Sequence, residues 1–366
     1  MFVIILSFII SFILVAIILP RILLLSLRKR LIDPIDPRKI HSSPASRLGG
    51  VTFLPSLLFS MWFCIGLSHL TPCFISDYVV VGVGVILEYL ALLSLFLIGI
   101  YDDILGVAYR KKFAVQIFAA LLFIASSSYI HTLHGLFGIY EINKYLAIPI
   151  TVFIYVFIIN SLNLIDGIDG LASLLSIMAL MVYGILLYAN GQLYDAILAI
   201  ASLGALVPFL YHNLFGIKQR AYSKIFMGDT GALVIGAILG ILAIRIWNIS
   251  YSIGGVDIAP IFYITAYTML IVPCFDVIRV IIHRFRNNKP IFMPDKSHIH
   301  HKFMALGFSA HMSLSLIVII NLLFAILNLT LSYILNITII VIIDIVVWTL
   351  MHLYISQQIK LRQLSN

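Results

Sequence analysis

Three groups of acids stand at the ends of apolar stretches: Asp102 with Asp103, Asp166 with Asp169, and Asp229. Only 15 Asp and Glu occur in 366 residues, so acids gathered at such boundaries need a reason. Several carboxylates facing water beside a bilayer make a hard oxygen site, suited to Mg²⁺ and phosphate chemistry. The sharpest stretch is Asn163-Leu-Ile-Asp166-Gly-Ile-Asp169-Gly170, with two Asp-Gly units between two apolar runs and no Lys or Arg. Its glycines let backbone approach a ligand closely, and its acids cannot be read as topology markers. Phe226-Met-Gly-Asp229-Thr-Gly231 repeats the pattern at the start of another apolar run. An Asp there is either an ordinary helix cap or, beside Lys224, part of a metal and phosphate cradle. Asp102 and Asp103 are adjacent and repel, so one is protonated or a cation lies between them; a solvated cap is the plainer reading.

Two further stretches carry cations and imidazoles. Asp36-Pro-Arg-Lys39-Ile-His41 through Arg47-Leu-Gly-Gly50 could hold an anionic group with Arg38, Lys39, His41 and Arg47, or simply anchor a membrane loop. Pro294-Asp-Lys-Ser-His298-Ile-His300-His301-Lys302 packs three of the 11 histidines into four positions. Cys or Glu companions at zinc-site spacing are missing nearby, so imidazoles beside lysines suit pyrophosphate binding or proton handling better.

The elements that must position these residues are membrane helices. Hydrophobic residues make up 62% and charged residues 10%, against about 25% charged in soluble domains, and mean hydropathy is +1.12. Apolar runs long enough to cross a bilayer recur along the whole chain. The expected fold is an all-α polytopic membrane protein with eleven spans near 2–25, 51–70, 79–100, 113–130, 145–161, 171–189, 194–211, 231–248, 259–282, 313–332 and 336–355. With eleven spans, all but Arg21, Lys144 and Arg245 of the 23 Lys and Arg fall on one side. That side is cytoplasmic by the positive-inside rule, putting the N-terminus out and the C-terminus in. The net charge of +8 is then a topology signal, helped by anionic lipid heads, and no nucleic-acid partner is expected. The acidic groups share the basic side. One integral membrane domain over 1–366 is expected, with its chemistry in the loops 28–50, 101–112, 160–170, 212–230 and 283–312. Cys64, Cys73 and Cys274 suggest neither a disulfide framework nor a thiolate metal site.

Together these motifs resemble the polyprenyl-phosphate N-acetylhexosamine-1-phosphate transferases. The resemblance runs over nearly the whole length, through Arg-Lys-x-His, Arg-x-Gly-Gly, Asp-Asp, Asn-x-x-Asp-Gly-x-Asp-Gly, Phe-x-Gly-Asp-x-Gly and Pro-Asp-Lys-Ser-His-Ile-His-His. The last motif is similar to that of the branch using UDP-GlcNAc, rather than the related phospho-MurNAc-pentapeptide branch. The resemblance implies transfer of GlcNAc-1-phosphate from UDP-GlcNAc to undecaprenyl phosphate, at the cytoplasmic face of the bacterial inner membrane, as the first membrane step of a surface polysaccharide. It implies Mg²⁺, with Mn²⁺ as a substitute, held by Asp229 with Asn163 and Asp166. Asp102, Asp103, Asp166, Asp169 and His298 would be catalytic. Lys39, His41, Arg47, Asn163, Asn213, Phe226, His300 and His301 would bind substrate, Phe226 by stacking on uracil. It also suggests a homodimer.

One departure stands out: Asn213 is followed by an insertion without the family's usual Pro-Ala before Phe-x-Gly-Asp. Other UDP-N-acetyl sugars remain alternative donors. An ion-coupled transporter would place its acids near mid-membrane in paired repeats, and of these acids only Asp276 fits. An intramembrane aspartyl protease leaves the histidine stretch unexplained.

Overall fold

The structure, a computed structural model, describes residues 1–29, 31, 46–70, 82–216, 224–250, 252–253, 256–290 and 297–365. In chain order the elements are α1 (Phe2–Arg28), a 3-10 turn (Leu48–Thr52) running into α2 (Phe53–Leu70), α3 (Val83–Leu105) and α4 (Tyr109–Ala125). A hairpin of β1 (Thr132–Leu136) and β2 (Ile139–Glu141) precedes α5 (Lys144–Ile165), α6 (Leu171–Ala189), α7 (Leu193–Phe215) and α8 (Gly228–Trp247). A second short hairpin, β3 (Ser252–Ile253) with β4 (Val256–Asp257), leads into α9 (Ala259–Thr268) and α10 (Ile271–Arg286). The chain ends with α11 (Ile299–Ala305), α12 (Ala310–Leu331) and α13 (Ile337–Ser365).

Among the described residues, nine helices are long and apolar enough to cross a membrane. Helices α9 and α10 make a tenth only if they are counted as one span: they meet at a bend of 52°, where one continuous span was expected over 259–282. Pro273 explains the break, because its ring and missing N–H prevent a continuous helical ladder back to Met269. The span expected at 113–130 is the 17-residue α4, which starts earlier, at Tyr109, and carries Arg110, Lys111 and Lys112 in its first turn. The helices pack as two compact units. Met1–Tyr129 with Pro149–Ile246 form the first, and Ile130–Ile148 with Trp247–Asn366 the second.

In the first unit, polarity is inverted relative to a soluble bundle. Along α1, Ile5, Ile9, Ile13 and Ile17 are exposed at four-residue spacing, while Ser7, Ser11, Val15 and Leu19 face inward. Lipid rewards no burial of isoleucine, so small and hydroxyl-bearing residues line the helix contacts instead. Ser7 donates its hydroxyl to the Ile4 carbonyl at 2.7 Å. Helix α8 lies at the centre, with every residue from Thr230 to Ile244 buried. At its far end Arg245, half-buried, pairs with Glu88 of α3 and Asp195 of α7, tying three helices through one cation.

At the near end of α8, the 3-10 turn docks against the helix start. Gly49 N–H donates to Phe226 O (3.1 Å), Gly50 N–H to Met227 O (2.9 Å), and Phe226 N–H to Ser46 O (2.7 Å). A Cβ on Gly50 would stand 2.1 Å from the Gly231 nitrogen, so the Gly-Gly motif is required by backbone against backbone. In the second unit, α13 buries Asp344 inside its span, where Tyr267 (2.9 Å) and Asn328 (2.8 Å) donate to it. His134 of the first hairpin stacks on Tyr263 at 4.2 Å and donates Nε2 to Trp247 O at 2.6 Å.

Gly50→Ala should therefore cost about 1–3 kcal/mol from overpacking, read as a lower melting temperature in detergent. An unchanged melting temperature contradicts the close approach.

Candidate active site

The site is built where six helices of the first unit begin or end. The last turns of α3, α5 and α7 and the first turns of α4, α6 and α8 meet at one end of the bundle, as alternating spans require. Asp103, in the last turn of α3, is committed to structure. Its carboxylate accepts the backbone N–H groups of Asp229 (2.8 Å) and Thr230 (2.9 Å), and the Thr230 hydroxyl at 2.5 Å. It thus serves as the N-cap of α8, supplied from another helix: it satisfies donors that a helix start leaves orphaned and complements the positive end of the helix. Gly228 makes this possible. Its φ is +67°, and a Cβ there would lie 2.1 Å from Arg47 O and 2.7 Å from the Asp103 carboxylate.

Asp102 and Asp229 instead share a cation. Lys112 Nζ donates to Asp102 Oδ2 at 2.9 Å and to Asp229 Oδ2 at 3.1 Å. Asp102 also accepts the Val107 N–H at 2.5 Å, and Asn163 donates its amide to Asp229 Oδ1. Three acids that would repel one another in an apolar bundle are thereby separated into one cap and one cation-bridged pair. Arg47 precedes the 3-10 turn, and its charge acts on Asp103.

The Asp-Gly loop is held separately. Lys224 pairs with Asp169 at 2.5 Å. Asn213, expected among the substrate contacts, has both amide atoms engaged by backbone. Its Oδ1 accepts the Gly170 N–H (2.6 Å) and its Nδ2 donates to Ile225 O (2.8 Å). It staples the loop to the strand-like segment before α8 across the inserted residues. Asp166 lies beside Asp169. Among the described residues no three acidic, histidine or cysteine side chains gather closely enough to hold an ion. Burial, reinforced by the Asp169 charge, pushes the Asp166 carboxyl up to about 7. Phe226 is half-buried, with its backbone engaged by Ser46 and Gly49. Lys39 and His41 lie outside the described residues.

The histidine stretch folds within the second unit around Asp276 of α10. Its Oδ2 bonds His298 Nδ1 at 2.8 Å, and its Oδ1 accepts Arg279 (2.8 Å) and the Ile299 N–H (3.1 Å). Arg279 also donates to Ser297 O at 2.5 Å. His300 is 1% exposed and stacks between His298 and His301. Burial and the neighbouring imidazoles push it down to about 3, so it is neutral at physiological pH. Neither of its ring nitrogens has a hydrogen-bond partner among the described residues.

Lys112, Asp276 and Arg279 are the side chains that sequence reasoning left out of the site. Lys112 counted only as a topology charge, because the helix was placed to begin after it; a start at Tyr109 puts it on the first turn, facing Asp102. Asp276 stood within an apolar run, with no sign in its spacing that the run was broken.

Bundle and site together define a multi-pass helical membrane protein with a carboxylate cluster at one end. Residues 85–247 match the family described as glycosyl transferase family 4. It is 29% identical to the probable undecaprenyl-phosphate N-acetylglucosaminyl 1-phosphate transferase of Bacillus subtilis (strain 168), over 90% of this chain and 85% of that protein. It is 28% identical to the undecaprenyl-phosphate alpha-N-acetylglucosaminyl 1-phosphate transferase of Escherichia coli (strain K12), over 83% and 77% of the two chains. The protein of the same name from Yersinia pestis is 27% identical over 81% and 76%.

The raised Asp166 carboxyl carries a prediction. Its ordinary value is 3.8 and its folded value about 7, so between those pH values the folded state keeps a proton that the unfolded chain has released. Its contribution to stability therefore falls as pH rises through that window, and levels off above it. Asp166→Asn should flatten this part of the melting-temperature profile; superimposable profiles contradict the assignment.

Proposed function

We propose that this chain transfers GlcNAc-1-phosphate from UDP-GlcNAc to undecaprenyl phosphate, releasing UMP and leaving undecaprenyl-diphosphate-GlcNAc. The observation that carries the reading is the convergence of Asp102, Asp229, Asn163 and Lys112, from four helices, at one end of an apolar bundle. Relatives bearing that activity in their names match over most of the chain. The basic loops support placing this end at the cytoplasmic face of a bacterial inner membrane, where a lipid-borne phosphate meets a soluble nucleotide sugar.

The reaction joins two anions, so repulsion is its first obstacle. Lys112 and Arg47 offer positive charge to the incoming phosphates. The acceptor monoester, with a second pKa near roughly 6, is largely dianionic at neutral pH and needs little help from a base. Asp103, fully engaged as a helix cap, is poorly placed to be that base; Asp102 acts by holding Lys112. In group transfer the acceptor phosphate oxygen bonds to the GlcNAc-bearing phosphorus, and the bond from that phosphorus to the UMP oxygen breaks.

The donor set suits Mg²⁺: two carboxylates that already converge on a cation, with an amide beside them, match an ion that takes one or two protein carboxylates plus substrate phosphates. Asp229 and Asp102 would hold it with Asn163. When bound, it would neutralise charge on the donor diphosphate and on the leaving UMP. Following the family resemblance, His298, His300 and His301 contact the donor. His300, neutral and buried, offers hydrogen bonds without a charge.

The test is formation of lipid-linked GlcNAc and UMP by purified protein in detergent, across a panel of UDP-sugars. UDP-GlcNAc should give the highest kcat/KM, chelation should stop turnover, and Asp229→Ala should lower kcat by roughly 100-fold or more. Full activity of Asp229→Ala removes the carboxylate pair from the reaction.

A further inference from the structure

The C-terminal helix α13 carries a polar stripe that an apolar span does not need. Asp344, Trp348, His352 and Ser356 recur every four residues, and all but Ser356 are buried to 5% exposure or less. Residues at this spacing share one helix face, so the stripe faces the protein and not lipid. Its inner end meets α11, the helix bearing the histidines. Lys302 Nζ donates to Ser356 Oγ at 2.9 Å, and the Ser356 hydroxyl donates in turn to the His352 carbonyl at 2.7 Å. His352 packs on Trp348 at 4.8 Å, within reach of the charges of Arg279, Lys302 and Asp276.

Six residues further along, the Arg362 guanidinium lies against the end of α11. That end is closed by Gly307 N–H to Met304 O (2.8 Å) and Phe308 N–H to Phe303 O (3.2 Å), with Phe303 packed on Phe308. This is a Schellman turn, with Gly307 at φ +90°. A Cβ on Gly307 would stand 2.0 Å from Arg362 Nη1, so the guanidinium lies directly on the turn. A cation there complements the negative end of the helix. Asp276 holds the first turn of α11, and α13 holds the remainder.

We infer that the inner end of α13 is a positioning element for donor binding: Ser356 fixes the Lys302 ammonium, and Arg362 fixes the turn that sets where the histidine helix stops. The inference rests on the donor-contact role of that helix in the proposed function. Burial and Arg279 push Lys302 down to about 8, with Asp276 opposing. The Ser356 oxygen is an acceptor for the charged form. Its removal lowers Lys302 further, so the amine loses its charge at a lower pH.

Ser356→Ala, Ser356→Thr and Arg362→Ala in the full chain test this. Ser356→Ala should raise KM for UDP-GlcNAc roughly tenfold, the scale of one hydrogen bond to a charged group, with KM for undecaprenyl phosphate unchanged. The alkaline limb of its pH profile should move to lower pH. Ser356→Thr should restore both within about twofold, and Arg362→Ala should raise the same KM. Unchanged donor KM, or equal losses for both substrates alongside a lower melting temperature, overturns the inference. A separate arm needs no turnover: acylation of Lys302, followed by mass spectrometry, should run several-fold faster in Ser356→Ala than in wild type, and equal rates also overturn it. Wild-type protein inactive with UDP-GlcNAc rejects the proposed function, while the labelling arm still decides whether α13 holds Lys302.

Discussion

Charge inside an apolar bundle has to be partnered, and the first unit is organised around how Asp102, Asp103 and Asp229 meet that demand. An unpaired buried carboxylate costs several kcal/mol or takes up a proton. Here Asp103 is absorbed by the start of α8, where two backbone N–H groups and the Thr230 hydroxyl converge on it. That leaves Asp102 and Asp229 on one shared lysine. The packing serves the same end. Glycines at 49, 50 and 228 let the 3-10 turn and α3 come close enough to α8 for the carboxylate to reach the helix start. Lose the approach and the cap fails; lose the cap and Asp229 is no longer held toward Lys112.

Each unit therefore has its own anchoring acid with a structural duty beside a more open group. In the first unit Asp103 is the anchor, with Asp102 and Asp229 sharing Lys112. In the second, Asp276 is the anchor and orients His298 while leaving His300 neutral among the imidazoles.

Much of this was legible in the sequence, for identifiable reasons. Membrane helices announce themselves by length and hydropathy, and scarce acids at helix ends stand out against them. The order of the motifs pointed to the family. Division of labour among the acids was not legible, because an Asp that caps a helix and an Asp that shares a lysine have the same letter and the same neighbours. Asn213 shows the same limit: its place in the pattern suggested a ligand contact, whereas its partners are the backbone of Gly170 and Ile225. Helix ends were missed by a turn, which hid Lys112, and the break at Pro273 hid the surroundings of Asp276. Both errors arise where tertiary contacts, not local pattern, decide how far a helix runs.

The central claim is that Asp102 and Asp229 form a cation-sharing pair that a divalent ion can take over from Lys112. Mn²⁺ binding to detergent-purified protein, followed by electron paramagnetic resonance, tests it most directly. The account predicts one saturable site that is lost in Asp229→Asn and tightened in Lys112→Gln, where the competing ammonium is gone. Equal Mn²⁺ affinity in wild type and Asp229→Asn would contradict it.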